Sequence, residues 1–178
     1  MGEEVTEGDQ IGDTYLAGEF GDWQMTCVTS GLEADPCQLY QLMEDDQGNS
    51  VAEISLFALP PGQEAAAGAT IVTPLETLLT AQITMRIDSG QAKRYPFTFC
   101  ASIGCVARIG LTEAEVTAMK RGARATLVIV PALAPDQQVP VTLSLTGFTA
   151  GYDAVAEANR AAEAAERAAI AAGGAAAD

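Results

Sequence analysis

The sequence predicts an all-β domain, mainly antiparallel and sandwich- or barrel-like, with one short internal helix and an alanine-rich helix towards the C-terminus. Three observations carry that reading. From Gln82 to Asp88, Ile83, Met85 and Ile87 alternate strictly with Gln82, Thr84, Arg86 and Asp88, a period of two that no helix satisfies. Short apolar runs recur along the chain, bounded by clusters of Gly, Pro, Asp or Asn. One well-capped helix interrupts them, and there is no regular alternation of strand and helix of the kind that builds a parallel sheet.

In chain order, residues 1–18 hold five carboxylates, several glycines and little apolar periodicity, the composition of an acidic flexible arm. Residues 19–152 read as the β-domain. Its first strand runs through Trp23 and Cys27, its second from Cys37 to Met43 and its third from Val51 to Ala58. Between the last two, Asp45-Asp46-Gln47-Gly48-Asn49-Ser50 is rich in turn formers and predicts a hairpin. Ala52, Ile54, Leu56 and Ala58 share one face of the third strand, its core side. Pro60-Pro61-Gly62 ends it, and Gly68 to Thr73 forms another strand before Pro74. After the turn Asp88-Ser89-Gly90, Lys93 to Cys100 is expected to return as a hairpin partner, followed by a strand from Cys105 to Ile109.

Thr112 to Lys120 predicts the internal helix. Thr112 and Glu115 have capping-box spacing, Gly122 closes the far end, and Leu111, Val116 and Met119 supply an apolar side. Arg124 to Val130 and Val139 to Phe148 bring the total to about eight strands, the count of a small sandwich or barrel. Residues 153–178 differ in being alanine-rich, with Glu163 and Arg167 at the four-residue spacing of a helical ion pair. A helix from Asp153 to Ala172 would be about 30 Å long. Alanine buries little area, so three placements stay open: a peripheral helix on the domain, a homo-oligomer contact, or a frayed tail. On this reading, cutting after Tyr152 leaves the β-domain folded.

The net charge of −15 is unevenly spread: residues 1–85 carry 15 acidic and no basic residues, whereas residues 86–178 carry nine of each. Such a surface repels phosphates and anionic headgroups, which makes nucleic acid and anionic membranes poor partners. The acidity serves solubility or a cationic partner. No apolar run reaches the length of a membrane-spanning helix. The four cysteines, Cys27, Cys37, Cys100 and Cys105, form two closely spaced pairs, and there is no histidine. Zinc sites favour Cys-x-x-Cys knuckles, so disulfides are the better reading, with Cys27 joined to Cys37 and Cys100 to Cys105 across short intervals. Disulfides place the protein in the periplasm or outside the cell. Met1-Gly2-Glu3-Glu4 lacks the positive start and apolar stretch of a signal peptide, so the expectation is an exported protein whose leader has been removed.

Phe20-Gly21-Asp22-Trp23 followed by Cys27, then Pro36-Cys37-Gln38-Leu39-Tyr40-Gln41, the Cys100 to Cys105 loop with Gly104, and Ser144-Leu145-Thr146-Gly147-Phe148-Thr149-Ala150 together resemble the invasion-associated locus B family of exported bacterial proteins. The resemblance covers roughly residues 19–152. It implies a β-sandwich-like fold, a periplasmic or surface location, and a family name linked to host-cell invasion. It brings no established catalytic residues with it.

The chemistry the residues offer is sparse. A nucleophilic triad needs a base, there is no histidine, and Lys93 and Lys120, the only lysines, sit in no nucleophile motif. Asp45-Asp46 and Glu113 with Glu115 are explained by a turn and by a helix N-terminus. The Cys100 to Cys105 loop has four intervening residues rather than the two of a redox motif, which favours a structural bond. Asp45, Asp46 and Asn49 lack the spacing of a calcium loop. No catalytic residue, metal ligand or cofactor is therefore expected.

A candidate interaction surface comprises Lys93, Arg94, Arg108, Lys120, Arg121 and Arg124, with Phe20 and Trp23 as aromatic anchors, although a sole tryptophan beside a disulfide more often packs in the core. The functional expectation is a non-catalytic module of the cell envelope or secreted fraction that binds another envelope or host protein. The alternative is a periplasmic small-molecule carrier with an apolar cavity, and a redox enzyme stands third.

Overall fold

The computed structural model describes residues 10–175, and in it eleven strands form one antiparallel sheet. The strands are β1 (Thr14–Phe20), β2 (Trp23–Val28), β3 (Cys37–Asp45), β4 (Ser50–Ala58), β5 (Ala67–Thr73), β6 (Ile83–Ile87), β7 (Lys93–Tyr95), β8 (Phe99–Ala101), β9 (Gly104–Leu111), β10 (Arg124–Ile129) and β11 (Val139–Ser144). Helix α1 (Glu113–Arg121) precedes β10, and helix α2 (Phe148–Ala175) follows β11. The spatial order is β7-β6-β10-β11-β3-β4-β5-β9-β8, with β2 joining β3 and β1 joining β2.

β7 and β8 occupy opposite ends of that order, yet only residues 96–98 separate them. Four residue steps span at most about 14 Å. The sheet therefore curls until its two ends lie close together, which makes it a half-barrel.

β3 is where the sheet forks. Its first half pairs with β2, Cys37 opposite Cys27 and Tyr40 opposite Gln24, while Glu44 and Asp45 pair with Thr142 and Val141 of β11. Gln41 is buried at the fork, where its side-chain amide donates to the Ser144 carbonyl at 3.0 Å and accepts from the Ser144 N–H at 2.8 Å. A side chain thus replaces the missing backbone partner of Ser144, and among the described residues no buried side-chain polar atom lacks a hydrogen-bond partner.

The inward positions of the strands, among them Leu39, Met43, Ile54, Leu56, Ile71, Ile83, Leu127 and Leu143, are fully buried and alternate with exposed or half-buried neighbours. Phe148, Tyr152 and Val155 of α2 close the concave side at the i, i+4, i+7 spacing of one helical face. Gly151 lets that face approach, because a Cβ there would lie 2.8 Å from Leu39 Cδ2.

Several sequence expectations change. Lys93 to Cys100 is not one strand: Pro96 has no N–H to donate, and the chain crosses from β7, the hairpin partner of β6, to β8, which pairs with β9. The strand expected from Val139 to Phe148 ends at Ser144, and Phe148 opens α2 five residues ahead of the expected start. The acidic arm expected over residues 1–18 overlaps β1, which begins at Thr14; residues 1–9 lie outside the described residues. α1 carries the expected capping box between Thr112 and Glu115.

Candidate functional site

Two of the motif segments meet in space. The Asp22 N–H donates to the Thr146 carbonyl, the Ser144 hydroxyl donates to the Asp22 carboxylate, and Trp23 Nε1 donates to the Ser144 carbonyl at 3.0 Å. Trp23 is fully buried with its ring 5.4 Å from Phe148. Gly147 has φ +83°, and a Cβ on it would sit 2.0 Å from the Phe20 carbonyl oxygen. Backbone therefore packs on backbone, and these residues lock the two ends of the domain together. That removes Trp23 from the candidate surface, and Phe20 is half-buried at the same junction.

The basic residues do not gather in one place. Lys93, half of whose side chain stays exposed, and Tyr95 share the face of β7 towards α1, where both reach Glu115: Lys93 Nζ lies 3.0 Å from Oε1, and the Tyr95 hydroxyl donates to the same oxygen. Burial pushes the Glu115 carboxyl up, but bonds from Tyr95, from the Thr112 N–H and hydroxyl and from Lys93 outweigh it and hold the group at about 2. Burial and the bond to Glu115 push the Tyr95 phenol above its ordinary range. Lys120 bonds Asp153 at 2.8 Å and lies 4.8 Å from the Tyr152 ring centroid, tying α1 to α2.

On the outer face, Arg94 lies opposite Thr84 and Arg86 opposite Thr126, so that Arg94, Arg86 and Arg124 follow a diagonal across β7, β6 and β10. All three are exposed, and among the described residues no carboxylate is within ion-pair distance of them. Arg108 sits elsewhere, on β9 over the Phe99 ring at 5.6 Å. Arg121 is exposed at the end of α1. The expected basic surface is thus not one patch, and Arg86, which belongs to the diagonal, was missed because its strand pattern already accounted for it.

Both disulfides form as the short intervals predict, Cys27 with Cys37 and Cys100 with Cys105, each pair directly opposed across an antiparallel ladder with Cα atoms 4.0 Å apart. Cys105 is buried and Cys100 is exposed on the short edge strand β8.

A groove of about 630 Å³ opens beside the first disulfide. Its walls are Val28 of β2, Leu32 in the following loop, Phe57 to Pro60 at the end of β4, and Asn159, Ala162, Glu163 and Glu166 of α2. Asn159 fixes the helix there: its side chain accepts from the Cys37 N–H at 2.7 Å and donates to the Cys37 carbonyl at 3.0 Å. Three stretches distant in sequence, residues 26–38, 57–60 and 159–166, build this site, and no local spacing announces it.

The family profile described as Invasion associated locus B (IalB) protein matches residues 23–156. The chain belongs to this family. Among curated relatives, the invasion protein B homologues of Brucella abortus strain 2308 and of Brucella abortus biovar 1 strain 9-941 are each 26% identical over 145 residues, 81% of this chain and 81% of theirs. The crystal structure of invasion associated protein B from Bartonella henselae superposes with a TM-score of 0.66 at 19% identity, covering 79% of this chain and 96% of that one. The IalB fold shared with the Bartonella protein is the mostly antiparallel, curled sheet with its C-terminal helix. The IalB match spans the Trp23–Phe148 junction, the forked strand, both disulfides and the helix as far as its last fully buried residue, Val155.

Proposed function

We propose that this chain is a non-catalytic protein-interaction module of the cell envelope or the secreted fraction. The observation that carries the reading is the groove, an apolar-walled surface channel held in shape by the Cys27–Cys37 bond and by the Asn159 clamp. The two disulfides support a compartment that keeps thiols oxidised. Relatives named for invasion support a role at the bacterial surface. The partner class is another envelope or host protein. Photo-crosslinking from residues placed around the surface of the full chain in intact envelopes tests this, and repeated recovery of one named protein is the expected result. Adducts with nothing, from every position, would refute it.

A small-molecule carrier is the second reading, favoured by the groove volume, which lies within the common range of ligand sites. Against it, Trp23, Phe148, Leu39 and Met43 fill the half-barrel where an internal cavity would lie. Native mass spectrometry of the protein taken from its own envelope separates the two, since a carrier retains a ligand of constant mass.

A further inference from the structure

We infer that the groove receives an apolar segment bearing basic residues from a different protein, and that Ile170 extends the helical wall it lies against; this rests on the interaction-module reading. The geometry of α2 gives the first step. Asn159, Ala162, Glu163 and Glu166 line the groove. At 100° per residue, Ile170 falls within about 20° of the direction of Asn159, on the same stripe. Ile170 is the one large apolar residue of the helix beyond the domain and is 68% exposed. The wall therefore continues along α2 as a helix face whose one bulky apolar group, Ile170, lies on the stripe that lines the groove. Inside, Val28, Leu32 and Phe57 remain 40%, 44% and 37% exposed, an apolar floor that water covers until something displaces it.

Charge decides the kind of occupant. The walls made by β2, the loop after it and the end of β4 come from residues 1–85, which contain no lysine or arginine. Glu163 and Glu166 stand on the helical wall at its rim; Glu33 and Asp35 lie on the neighbouring loop without lining the groove, Asp35 being taken up by Tyr15 and Ser30. Arg160 and Arg167 lie to one side of the stripe, and Arg167 is already turned back on Glu163. An apolar floor under an acidic rim favours a segment that is apolar on one side and cationic on the other. A second copy brings the same rim and a net charge of −15, and is repelled.

The test uses the full chain and a labelled amphipathic peptide of lysine and leucine, with two comparison peptides: glutamate and leucine in the same pattern, and lysine and serine of the same charge. The Lys/Leu peptide should bind most tightly. Leu32→Ser with Ile170→Ser should weaken it about tenfold, and Glu163→Gln with Glu166→Gln about threefold, the scale of lost apolar burial and of exposed ion pairs. Glu44→Gln with Glu157→Gln, which removes the same charge elsewhere, should leave binding unchanged. All six positions are exposed, and circular dichroism checks that each variant folds. Equal binding of the Lys/Ser peptide, preference for the Glu/Leu peptide, or indifference to the groove variants would overturn the inference. So would a dimer in sedimentation that Leu32→Ser with Ile170→Ser dissociates, because the occupant would then be a second copy. In envelopes, a photo-crosslinker at Ala162 should capture a partner. Adducts from Arg94 but none from Ala162 would refute the groove while leaving the interaction module standing, whereas none from any position removes both.

Discussion

Glu115 is the buried charge on which the attachment of α1 depends, and replacing it with glutamine is the sharpest test of the packing between α1 and the sheet edge. Its carboxylate closes the capping box with Thr112, meets the Lys93 ammonium and accepts the Tyr95 hydroxyl while only 7% of the residue is exposed. Glutamine offers one acceptor oxygen and an NH2 that, in either amide orientation, must face the Lys93 ammonium or the Thr112 N–H donor to donor. The folded carboxyl titrates at about 2 against an ordinary 4.5. A group lowered in the folded state contributes stability that is complete above its unfolded value and is lost as pH falls from 4.5 towards 2. The shift corresponds to about 3 kcal/mol at neutral pH. Glu115→Gln should therefore lower stability by about 2–3 kcal/mol at pH 7, and the gap to the wild type should close in the same acid window. Urea titrations of both proteins at a series of pH values measure that gap directly. A difference that stays constant from neutral pH to the bottom of the window would show that the carboxylate charge is not what holds α1.

Other perturbations probe the remaining supports. Gly147→Ala should cost more than about 3 kcal/mol or prevent folding, because it combines a left-handed backbone with a Cβ 2.0 Å from the Phe20 oxygen; Gly173→Ala, with nothing within 4 Å, should be harmless, and thermal unfolding compares them. Replacing both cysteines of one pair should cost about 3 kcal/mol for Cys27–Cys37 and about 2 kcal/mol for Cys100–Cys105, read from urea midpoints. Ending the chain after Tyr152 should cost at least about 2 kcal/mol in Val155 burial alone, together with the Asn159 clamp, whereas ending it after Glu166 should leave the melting temperature nearly unchanged.

That last pair of truncations reverses the expectation drawn from composition, and the reason is local. Thr149 and Gly151 look like strand-end and loop residues, so the first turn of α2 is invisible to helix propensity. Gly151 is there for close approach to Leu39, a demand that arises only once the sheet exists. β1 escaped notice for a related reason. Its register slips between Leu16 and Gly18 and it pairs with β2 alone, so it shows no clean alternation. By contrast, β6 and α1 were legible because their signals, a period of two and a capping box, are complete within a few residues. The cysteine pairing was readable for the same reason. The candidate groove was not, since Val28, Leu32, Phe57 and Asn159 come together only through long-range pairing, and the sequence offers nothing at any of them beyond an apolar residue or an asparagine among alanines.

The junction between Trp23 and Phe148 also sets the order in which this chain can acquire its structure. A ring near the start of the domain cannot leave water until a ring near its end has arrived, and the hydrogen bond from Trp23 to Ser144 spans 121 residues. Contacts of that reach make folding slow, on the order of milliseconds to seconds for β-rich domains. Both disulfides, in contrast, bridge residues only ten and five positions apart and can close while the C-terminal segment is still absent. Oxidation can therefore precede consolidation: two pinned hairpins wait, open and unfinished, until residues 144–155 dock and turn a set of stapled ribbons into a single cooperative domain.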